Sequence, residues 1–380
     1  MDCELPEELK LLRDLVRNFV KKELVPLEDQ VEEDDDVPPD TLRRLRTRAR
    51  DLGLLGINIP KECGGSGLGM LANCIVREEL GRTSLAMSYT VRGPSPILSL
   101  GAPEQREKYL EPCLRAEKRD CFALTEPNAG SDAAAISTTA VRDGDRFILN
   151  GTKIFVTDGR KADFVIVFAV TDKEKRARGG ITAFLVDKGT PGFTVGTLFK
   201  KMGWRGTDLA ELVFTDCRVP ADNVLGEVGQ GFPLAMQWID QGRLGVAAAA
   251  VGTAERLLDM AADYARQRVT FGKPLADRQA IQWMIVDSAT EIAAARLLVN
   301  SAAREGDRGR DVRRQAAMAK LYATEMAGRV ADRALQIHGG MGYMKDLPIE
   351  RMYRDVRYTR IAEGTSEILR FLIARSILKG

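Results

Sequence analysis

Several loops of this 380-residue chain carry polar and aromatic residues at spacings that could hold a ligand. The segment Leu124–Asp132 follows a short apolar run and offers hydroxyl groups and a small-residue turn, whose backbone amides could face an anion or the edge of a ring. Phe155 and Thr157 are two residues apart, which places them on one face of a predicted strand. The segment Arg268–Gly272 joins a cation, a hydroxyl group and an aromatic ring at the end of a predicted helix. Taken singly, each segment is better explained as an ordinary turn.

The common catalytic and nucleotide-binding motifs are missing from the sequence. Gly64–Gly69 is rich in glycine, but it does not fit G-x-G-x-x-G and lacks a P-loop lysine, so we interpret it as a turn. The single histidine, His338, precedes two glycines at a predicted helix end, where packing or capping is the expected role. The six cysteines include no C-x-x-C pair, which argues against a zinc site and against a disulfide framework. We therefore predict no metal site.

The overall composition is that of a soluble globular protein with balanced charge. Hydrophobic residues make up 44% of the chain, and 56 basic residues against 54 acidic ones leave a net charge of +2. This balance gives no reason to expect nucleic acid or a membrane surface as a partner. The N-terminal region lacks a signal-peptide pattern, and no apolar stretch is long enough to span a membrane. With its scattered thiols, the chain is expected in a reducing compartment, the bacterial cytoplasm or alternatively the mitochondrial matrix.

Three segments of different periodicity must position these loops. Residues 1–119 show the three- and four-residue apolar spacing of helices. Residues 120–228 contain short β-branched and aromatic runs such as Phe164–Phe168, punctuated by glycine and asparagine as at Asn150-Gly151. Residues 229–380 return to long alanine-rich helical patterns, which normally form a bundle. The predicted fold is therefore an α+β multidomain protein with a helical domain, a β-barrel or β-sandwich domain, and a second helical domain.

Taken together and in this order, the loops resemble the signatures of the acyl-CoA dehydrogenases, and the resemblance covers essentially the whole chain. Leu124–Asp132 is similar to the first signature of that family. Gln336–Tyr343, followed by Arg354-Asp355 and then by Glu363–Glu367, is similar to the second. The resemblance implies an N-terminal helical domain, a middle β domain and a C-terminal four-helix bundle, in agreement with the three segments.

The resemblance further implies an FAD site built by more than one subunit, usually within a homotetramer. Phe122–Ser131 and Phe155–Thr157 would lie against the flavin. The segment Arg268–Phe271 matches a helix end that reaches the FAD of a neighbouring subunit, and a guanidinium group suits a pyrophosphate. The residues matched to FAD contacts are Phe122, Leu124, Thr125, Gly130, Ser131, Phe155, Thr157, Arg268, Thr270, Phe271, Gln279, Gln336, Gly339, Gly340, Thr365 and Glu367.

By the same resemblance, the reaction is the α,β-dehydrogenation of an acyl-CoA thioester to the trans-2-enoyl-CoA. Glu363 matches the base that takes the α-proton while the flavin takes the β-hydride, and an electron-transfer flavoprotein is the implied electron acceptor. The developing enolate requires hydrogen-bond donors at the thioester carbonyl, and the resemblance assigns these to the Glu363 N–H and a ribityl hydroxyl. Burial would raise the pKa of the carboxyl toward the working pH. Some family members carry the base just before the arginine matched by Arg243, where this chain has Gly242.

The residues that the resemblance assigns to substrate binding are Ser131, Asp240, Arg243 and Gly364. Arg92 falls in a segment that lines the acyl pocket in relatives, where apolar residues are common. One hypothesis is that Arg92 pairs with a carboxylate on the acyl tail, because an unpaired buried cation is costly. The alternative is that Arg92 points outward to solvent.

Two other functions remain open at this point. An acyl-CoA oxidase on the same fold would pass electrons to oxygen, and the sequence does not show how accessible the flavin is. A non-catalytic scaffold would lack the base or the FAD loops, and this chain retains both. Glu363 itself could be only a carboxylate at the N-terminus of a helix, where it would interact favourably with the helix dipole.

Overall fold

The computed structural model describes residues 5–378. Cys3, the start of the predicted first domain (residues 1–4) and the end of the predicted third domain (residues 379–380) therefore lie outside the described residues. The helices that precede the sheet are α1 (Glu7–Phe19), α2 (Glu28–Asp34), α3 (Pro39–Asp51), α4 (Gly69–Leu80), α5 (Leu85–Thr90), α6 (Pro103–Gln105) and α7 (Glu111–Leu114). The apolar faces of α1 to α5 form one core, in which Val16, Leu45 and Met87 are completely buried, whereas Cys113 of α7 packs in a core with the sheet. This region is helical, as the spacing of its apolar residues predicts.

The middle of the chain forms one seven-stranded curled sheet. Its strands are β1 (Asp120–Ala123), β2 (Thr139–Asp143), β3 (Arg146–Thr157), β4 (Phe164–Val170), β5 (Ile181–Asp187), β6 (Phe193–Leu198) and β7 (Leu209–Pro220). The order is β1-β4-β2-β3-β7-β6, and β5 pairs with β4 on its other side. Strands β4 and β5 are buried along nearly their whole length because helices cover one face and the curled sheet covers the other.

Strand β3 departs from the sequence prediction, which placed a break at Asn150-Gly151. The chain continues through this dipeptide as a single strand, and the pairing with β7 shifts register there and again between Lys153 and Val156. Both shifts are β-bulges, which bend a strand without ending it. Gly151 is required at the first bulge because its φ is +151° and because a Cβ atom would collide with Thr138.

The C-terminal region is a helical bundle. Its helices are α8 (Gly231–Gln267), α9 (Gln279–Asp307), α10 (Arg313–His338), α11 (Gly340–Tyr343), α12 (Ile349–Thr359) and α13 (Ser366–Leu378), and the two-residue strands β8 (Val269–Thr270) and β9 (Lys273–Pro274) join α8 to α9. Alanine residues fill the contacts between α8 and α10, which lets these helices approach closely. The fold class predicted from the sequence is confirmed.

Two structural absences hold for residues 5–378. No helix there is long and apolar enough to cross a membrane. The same residues contain no cluster of three or more His, Cys, Asp or Glu side chains that could hold a metal ion. The cysteines in this range are free thiols.

Candidate active site

Glu363 lies in the loop between α12 and α13, in a backbone conformation that is unusual for its residue type. Its φ is +55°, in the left-handed region, and the next residue, Gly364, has φ +97°. A non-glycine residue in this region is strained, and such strain concentrates at functional sites. The Oε2 atom is buried and has no hydrogen-bond partner among the described residues 5–378. The loop therefore holds one carboxylate inside the protein without neutralising it.

Two buried cations fix this loop through its backbone. Lys320 on α10 is completely buried, and its Nζ atom donates to the Gly364 carbonyl at 2.8 Å. Arg243 on α8 donates from Nε to the Glu363 carbonyl at 3.1 Å and from Nη1 to Asp240 at 2.5 Å. Both cations contact carbonyl oxygens of the loop, so the carboxylate of Glu363 stays free to accept a proton.

The electrostatics suit a base that works near neutral pH. Burial raises the pKa of Glu363 to about 7, while Lys320, Arg243 and Arg77 oppose that rise. Burial also lowers the pKa of Lys320 to about 8, against the attraction of Glu363. A general base is most effective when its pKa lies close to the working pH. The carboxyl group of Glu363 can therefore gain and lose a proton near neutral pH while its loop is held in place.

Gly242, one residue before Arg243, faces the same carboxylate from α8. A Cβ atom at this position would overlap Oε2 of Glu363. Positions 242 and 363, the two alternative positions for a base, therefore face the same space. Only glycine at position 242 leaves room for the Glu363 carboxylate.

A buried ion pair between Lys153 and Glu126 fixes the loop Leu124–Asp132 to strand β3. Lys153 is completely buried and donates to Glu126 Oε1 at 2.7 Å and to the Leu124 carbonyl at 3.1 Å. The other Glu126 contacts are with the loop after it, where the N–H of Ser137 donates at 2.6 Å. Gly130 and Ser131 remain exposed above this clamp. The loop therefore presents its small residues and hydroxyl groups from a rigid base.

Two aromatic residues of the sheet, Phe122 and Phe155, were predicted to lie against the ligand. Phe155 sits at the second bulge with φ +55°, and 54% of its side chain is exposed. Phe122 stacks on Trp238 of α8 with ring centroids 4.1 Å apart. Ile154, next to Phe155, donates its N–H to the Thr125 carbonyl at 2.9 Å and so joins β3 to the loop. A planar ligand could rest against an aromatic side chain presented in this way.

A second group of predicted residues lies far from this site. Arg268 follows the end of α8, and the 25 residues from Gly242 to Gln267 rise about 38 Å at ~1.5 Å per residue. Phe271, with φ +48°, is 98% exposed. The residues of this second group are Arg268, Thr270, Phe271, Gln279, Gln336, Gly339 and Gly340. Within one chain, this rise separates Arg268 from Glu363 and from Thr365 and Glu367 beside it.

His338 belongs to the packing at that second end. Its Nδ1 atom lies 2.8 Å from the Ala334 carbonyl, and its ring stacks on Tyr264 with centroids 4.4 Å apart. Burial lowers the pKa of the imidazole. The packing role indicated by the sequence agrees with these contacts.

Arg92 requires a correction, because neither sequence interpretation describes its surroundings. Its guanidinium group is buried, pairs with Asp120 at 3.1 Å and donates to the Gly93 carbonyl at 3.0 Å. It therefore does not point to solvent, and its charge is already neutralised at the start of β1. The sequence could not reveal this partner, since Asp120 lies 28 positions away.

Arg77, Lys320 and Trp238 were missed by the sequence analysis. Arg77 stands in the run Val76–Leu80 before two glutamates, a charged pattern typical of a solvated helix face. Lys320 is a single lysine in an alanine-rich helix and gave no signal of its own. Only the tertiary structure shows that both cations lie near Glu363.

The comparisons with known proteins agree with this architecture. Three family descriptions match: "Acyl-CoA dehydrogenase, N-terminal domain" at residues 6–117, "middle domain" at 121–217 and "C-terminal domain" at 229–378. The acryloyl-CoA reductase (NADH) of Anaerotignum propionicum is 45% identical, over 100% of this chain and 96% of its own length. The human mitochondrial short-chain specific acyl-CoA dehydrogenase is 44% identical, over 99% of this chain and 91% of its own length.

Solved structures give the same answer. A chain in the structure of the electron transferring flavoprotein of Acidaminococcus fermentans, described for flavin-based electron bifurcation, superposes with a TM-score of 0.94. It is 40% identical to this chain, and the match covers 100% of both. With the loops, the three-part fold and the position of Glu363, these matches show that the chain belongs to the acyl-CoA dehydrogenase family of oxidoreductases.

Proposed function

We propose that this protein dehydrogenates an acyl-CoA thioester to the trans-2-enoyl-CoA, with Glu363 as the base that takes the α-proton. The observation that carries the proposal is the buried Oε2 atom of Glu363, which faces Gly242 and has no hydrogen-bond partner among residues 5–378. The backbone N–H of Glu363 has no hydrogen-bond partner among residues 5–378. It is therefore free to donate to the thioester carbonyl, where negative charge develops as the proton leaves.

The residues present fit FAD. The exposed ring of Phe155, the clamped loop with its exposed Gly130 and Ser131, and the hydroxyl groups of Thr125 and Thr157 offer a surface and polar contacts for a flavin. When bound, the flavin accepts the hydride from the β-carbon. Phe122 and Leu124 support this surface from the sheet, and Thr365 and Glu367 stand beside the base.

Three of the residues proposed for the thioester, Asp240, Arg243 and Gly364, lie near the proposed base. Asp240 and Arg243 stand on α8 next to Gly242, Gly364 follows the base, and Ser131 is exposed on the loop of the middle sheet. Because Arg243 also donates to the Glu363 carbonyl, we propose that it positions the base as well as contacting substrate.

We propose that the complete site needs a second subunit, within a homotetramer. The second group contains Arg268, which lies about 38 Å from Gly242 along α8 and therefore does not join the site around Glu363 in one chain. Its exposed members would instead contact the FAD of a neighbouring subunit. A variant with Arg268→Ala should lose FAD on dilution while its isolated fold is kept, and retention of FAD at the wild-type level would contradict this arrangement.

The proposed electron acceptor is an electron-transfer flavoprotein, which the similarity to the Acidaminococcus fermentans structure supports. Two alternatives use other partners: oxygen in an oxidase, and NADH in a reductase such as the Anaerotignum propionicum relative. An anaerobic screen of acyl-CoA esters, followed by loss of flavin absorbance, tests the dehydrogenation. Reoxidation of the reduced enzyme by air, by NAD⁺ and by an electron-transfer flavoprotein then separates the acceptors. An enzyme that no acyl-CoA ester reduces would refute the proposal.

A further inference from the structure

Asp355 on α12 is a buried carboxylate that joins all three parts of the fold. Its side chain is 5% exposed and accepts the N–H of Trp204, from the segment between β6 and β7, at 2.5 Å. It also accepts the N–H of Leu85, the first residue of α5, at 3.3 Å. Within residues 5–378 it forms no ion pair, and burial raises its pKa to about 6 while the two N–H groups oppose the rise. A buried charge held by backbone donors alone is costly, so the contact calls for a reason beyond packing.

Residues 199–208 form a strap that runs from the sheet to both helical regions. On the side of the C-terminal bundle, Arg354 of α12 donates from Nη1 to the Met202 carbonyl at 3.0 Å. On the side of the N-terminal helices, Arg205 donates from Nε to the Glu32 carbonyl of α2 at 2.6 Å. The strap is therefore fixed at its far end by contacts with α2 and α12.

The indole ring of Trp204, in the middle of the strap, lies between two tyrosines from different helices. Its centroid is 4.4 Å from that of the Tyr358 ring of α12 and 5.3 Å from that of the Tyr89 ring of α5. The backbone of Trp204 has φ +57°, a left-handed conformation that is strained for a bulky residue. Because Asp355 accepts the N–H of this residue, it holds the strained conformation in place.

The two ends of the strap lie beside residues proposed to contact the flavin. The Phe199 ring is 5.0 Å from the ring of Phe155, measured between centroids. Leu209, the first residue of β7, pairs with Thr157 at the end of β3. The N–H of Phe199 donates to the Leu209 carbonyl at 2.8 Å and closes the base of the strap. A displacement of the strap would therefore reach both Phe155 and Thr157.

The far end of the strap adjoins the loop that carries the proposed base. The Tyr358 carbonyl accepts the N–H groups of Ile361 and Ala362 at 2.8 and 3.1 Å, so this loop turns on Tyr358. Burial, followed by the charge of Glu363, raises the pKa of Tyr358. Since the Tyr358 ring also packs on Trp204, contacts run without a gap from the strap to the Glu363 loop.

We propose that Asp355 is a positioning residue that aligns the surface proposed for the flavin with the base Glu363. The inference rests on the proposed dehydrogenation, in which a proton and a hydride leave neighbouring carbon atoms for acceptors on different parts of the fold. A misplacement of about 1 Å can cost about 100-fold in rate. Since α12 is anchored in the core of the bundle through Ile349 and Val356, loss of the Asp355 contact should move the strap rather than the base.

The test separates removal of the α-proton from transfer of the hydride. One probe is the acyl-CoA ester that bleaches the wild-type flavin fastest. The other is its analogue with sulfur in place of the β-carbon, which keeps its α-protons and has no β-hydride to give. Uptake of solvent deuterium at the α-carbon of the analogue, measured by mass spectrometry, reports on the base alone. Asp355→Asn should slow bleaching by about 10- to 100-fold and change deuterium uptake by less than about twofold.

A second variant and a matched control surround this comparison. Gly203→Ala disturbs the same contact from the strap, because its Cβ atom would lie 2.8 Å from Oδ1 of Asp355, and it should show the same split. Asp307 on α9 likewise accepts two backbone N–H groups from the N-terminal helices, from Met70 at 2.5 Å and from Leu71 at 3.0 Å. Asp307→Asn should keep the wild-type ratio of bleaching to deuterium uptake.

Backbone hydrogen–deuterium exchange without substrate gives a readout that does not depend on turnover. Exchange within residues 199–208 should be faster in Asp355→Asn than in the wild type, and unchanged in Asp307→Asn. Equal falls in bleaching and in deuterium uptake by Asp355→Asn, or unchanged exchange in the strap, would overturn the inference. Deuterium uptake by the analogue that is equally fast in Glu363→Gln would instead refute the proposed base, and with it the inference that rests on it.

Discussion

Two completely buried lysines, Lys153 in the middle sheet and Lys320 in the C-terminal bundle, lie close to glutamates with opposite outcomes. Lys153 contacts the Glu126 carboxylate itself at 2.7 Å, and the pKa of Glu126 falls to about 2 although burial alone would raise it. Lys320 contacts a backbone carbonyl at 2.8 Å, and burial raises the pKa of Glu363 to about 7. The same pair of residue types forms an ion pair in one place and surrounds the proposed base in the other.

The charge of Lys153, followed by hydrogen bonds to the carboxylate, lowers the pKa of Glu126. Glu126 also accepts from Ser137 and Thr138, so each of its oxygens is satisfied in the charged form. Glu363 has a buried oxygen without a partner, since Lys320 and Arg243 donate to the carbonyls of the loop. Donors on a carboxylate stabilise its charged form, and their absence leaves burial dominant. A cation that donates to the backbone can therefore position a carboxylate without lowering its pKa as strongly as a direct hydrogen bond would.

The largest expected effect comes from breaking the ion pair between Lys153 and Glu126. Lys153→Met leaves Glu126 as an uncompensated buried charge and should cost about 3–5 kcal/mol of unfolding free energy. Chemical denaturation followed by circular dichroism measures this loss. Lys175→Met, which removes an exposed ion pair with Asp172, is the control and should cost less than about 1 kcal/mol. Equal losses of unfolding free energy in the two variants would show that the Lys153–Glu126 ion pair does not stabilise the loop.

A smaller effect is expected from adding a methyl group against the carboxylate of Glu363. Gly242→Ala places a Cβ atom on the Glu363 carboxylate, and relieving such overpacking typically costs about 1–3 kcal/mol. Displacement of the base should lower kcat more than it raises KM, as steady-state assays with the best ester will show. Gly328→Ala on α10, where a Cβ atom would meet nothing within 4 Å, should leave kcat unchanged. Wild-type kcat in Gly242→Ala would place the working carboxylate elsewhere.

The smallest effect is a shift in pH dependence. Lys320 is the first of the charges that hold down the pKa of Glu363, ahead of Arg243 on α8 and Arg77 on α4. Lys320→Met should therefore move the rising limb of the rate profile to higher pH by about one unit, the effect of one nearby charge. Lys320→Arg keeps a cation and should restore the position of the limb. A lower rate with an unshifted limb would mean that Lys320 only supports the loop.

The sequence predicted the order of helical, β and helical regions because apolar periodicity survives in each. It failed where packing decides. Asn150-Gly151 looked like a turn, but bulges let β3 continue and push Phe155 outward. Arg92 was predicted to meet either a substrate carboxylate or solvent, yet Asp120 neutralises it, while Arg77, in a charged run, has no ion pair among residues 5–378. Which of two arginines has a partner depends on residues distant in the chain, so no local pattern could distinguish them.

The central claim, that Glu363 is the base, is tested most directly by anaerobic stopped-flow bleaching of the flavin across a range of pH. In the wild type, the rate should rise with pH through about 7, because only the deprotonated carboxylate accepts the α-proton. Glu363→Gln should bleach about 10²- to 10⁴-fold more slowly, the usual contribution of a general base, and its slow rate should not follow that rise. Bleaching of Glu363→Gln at the wild-type rate, with the same dependence on pH, would contradict the account.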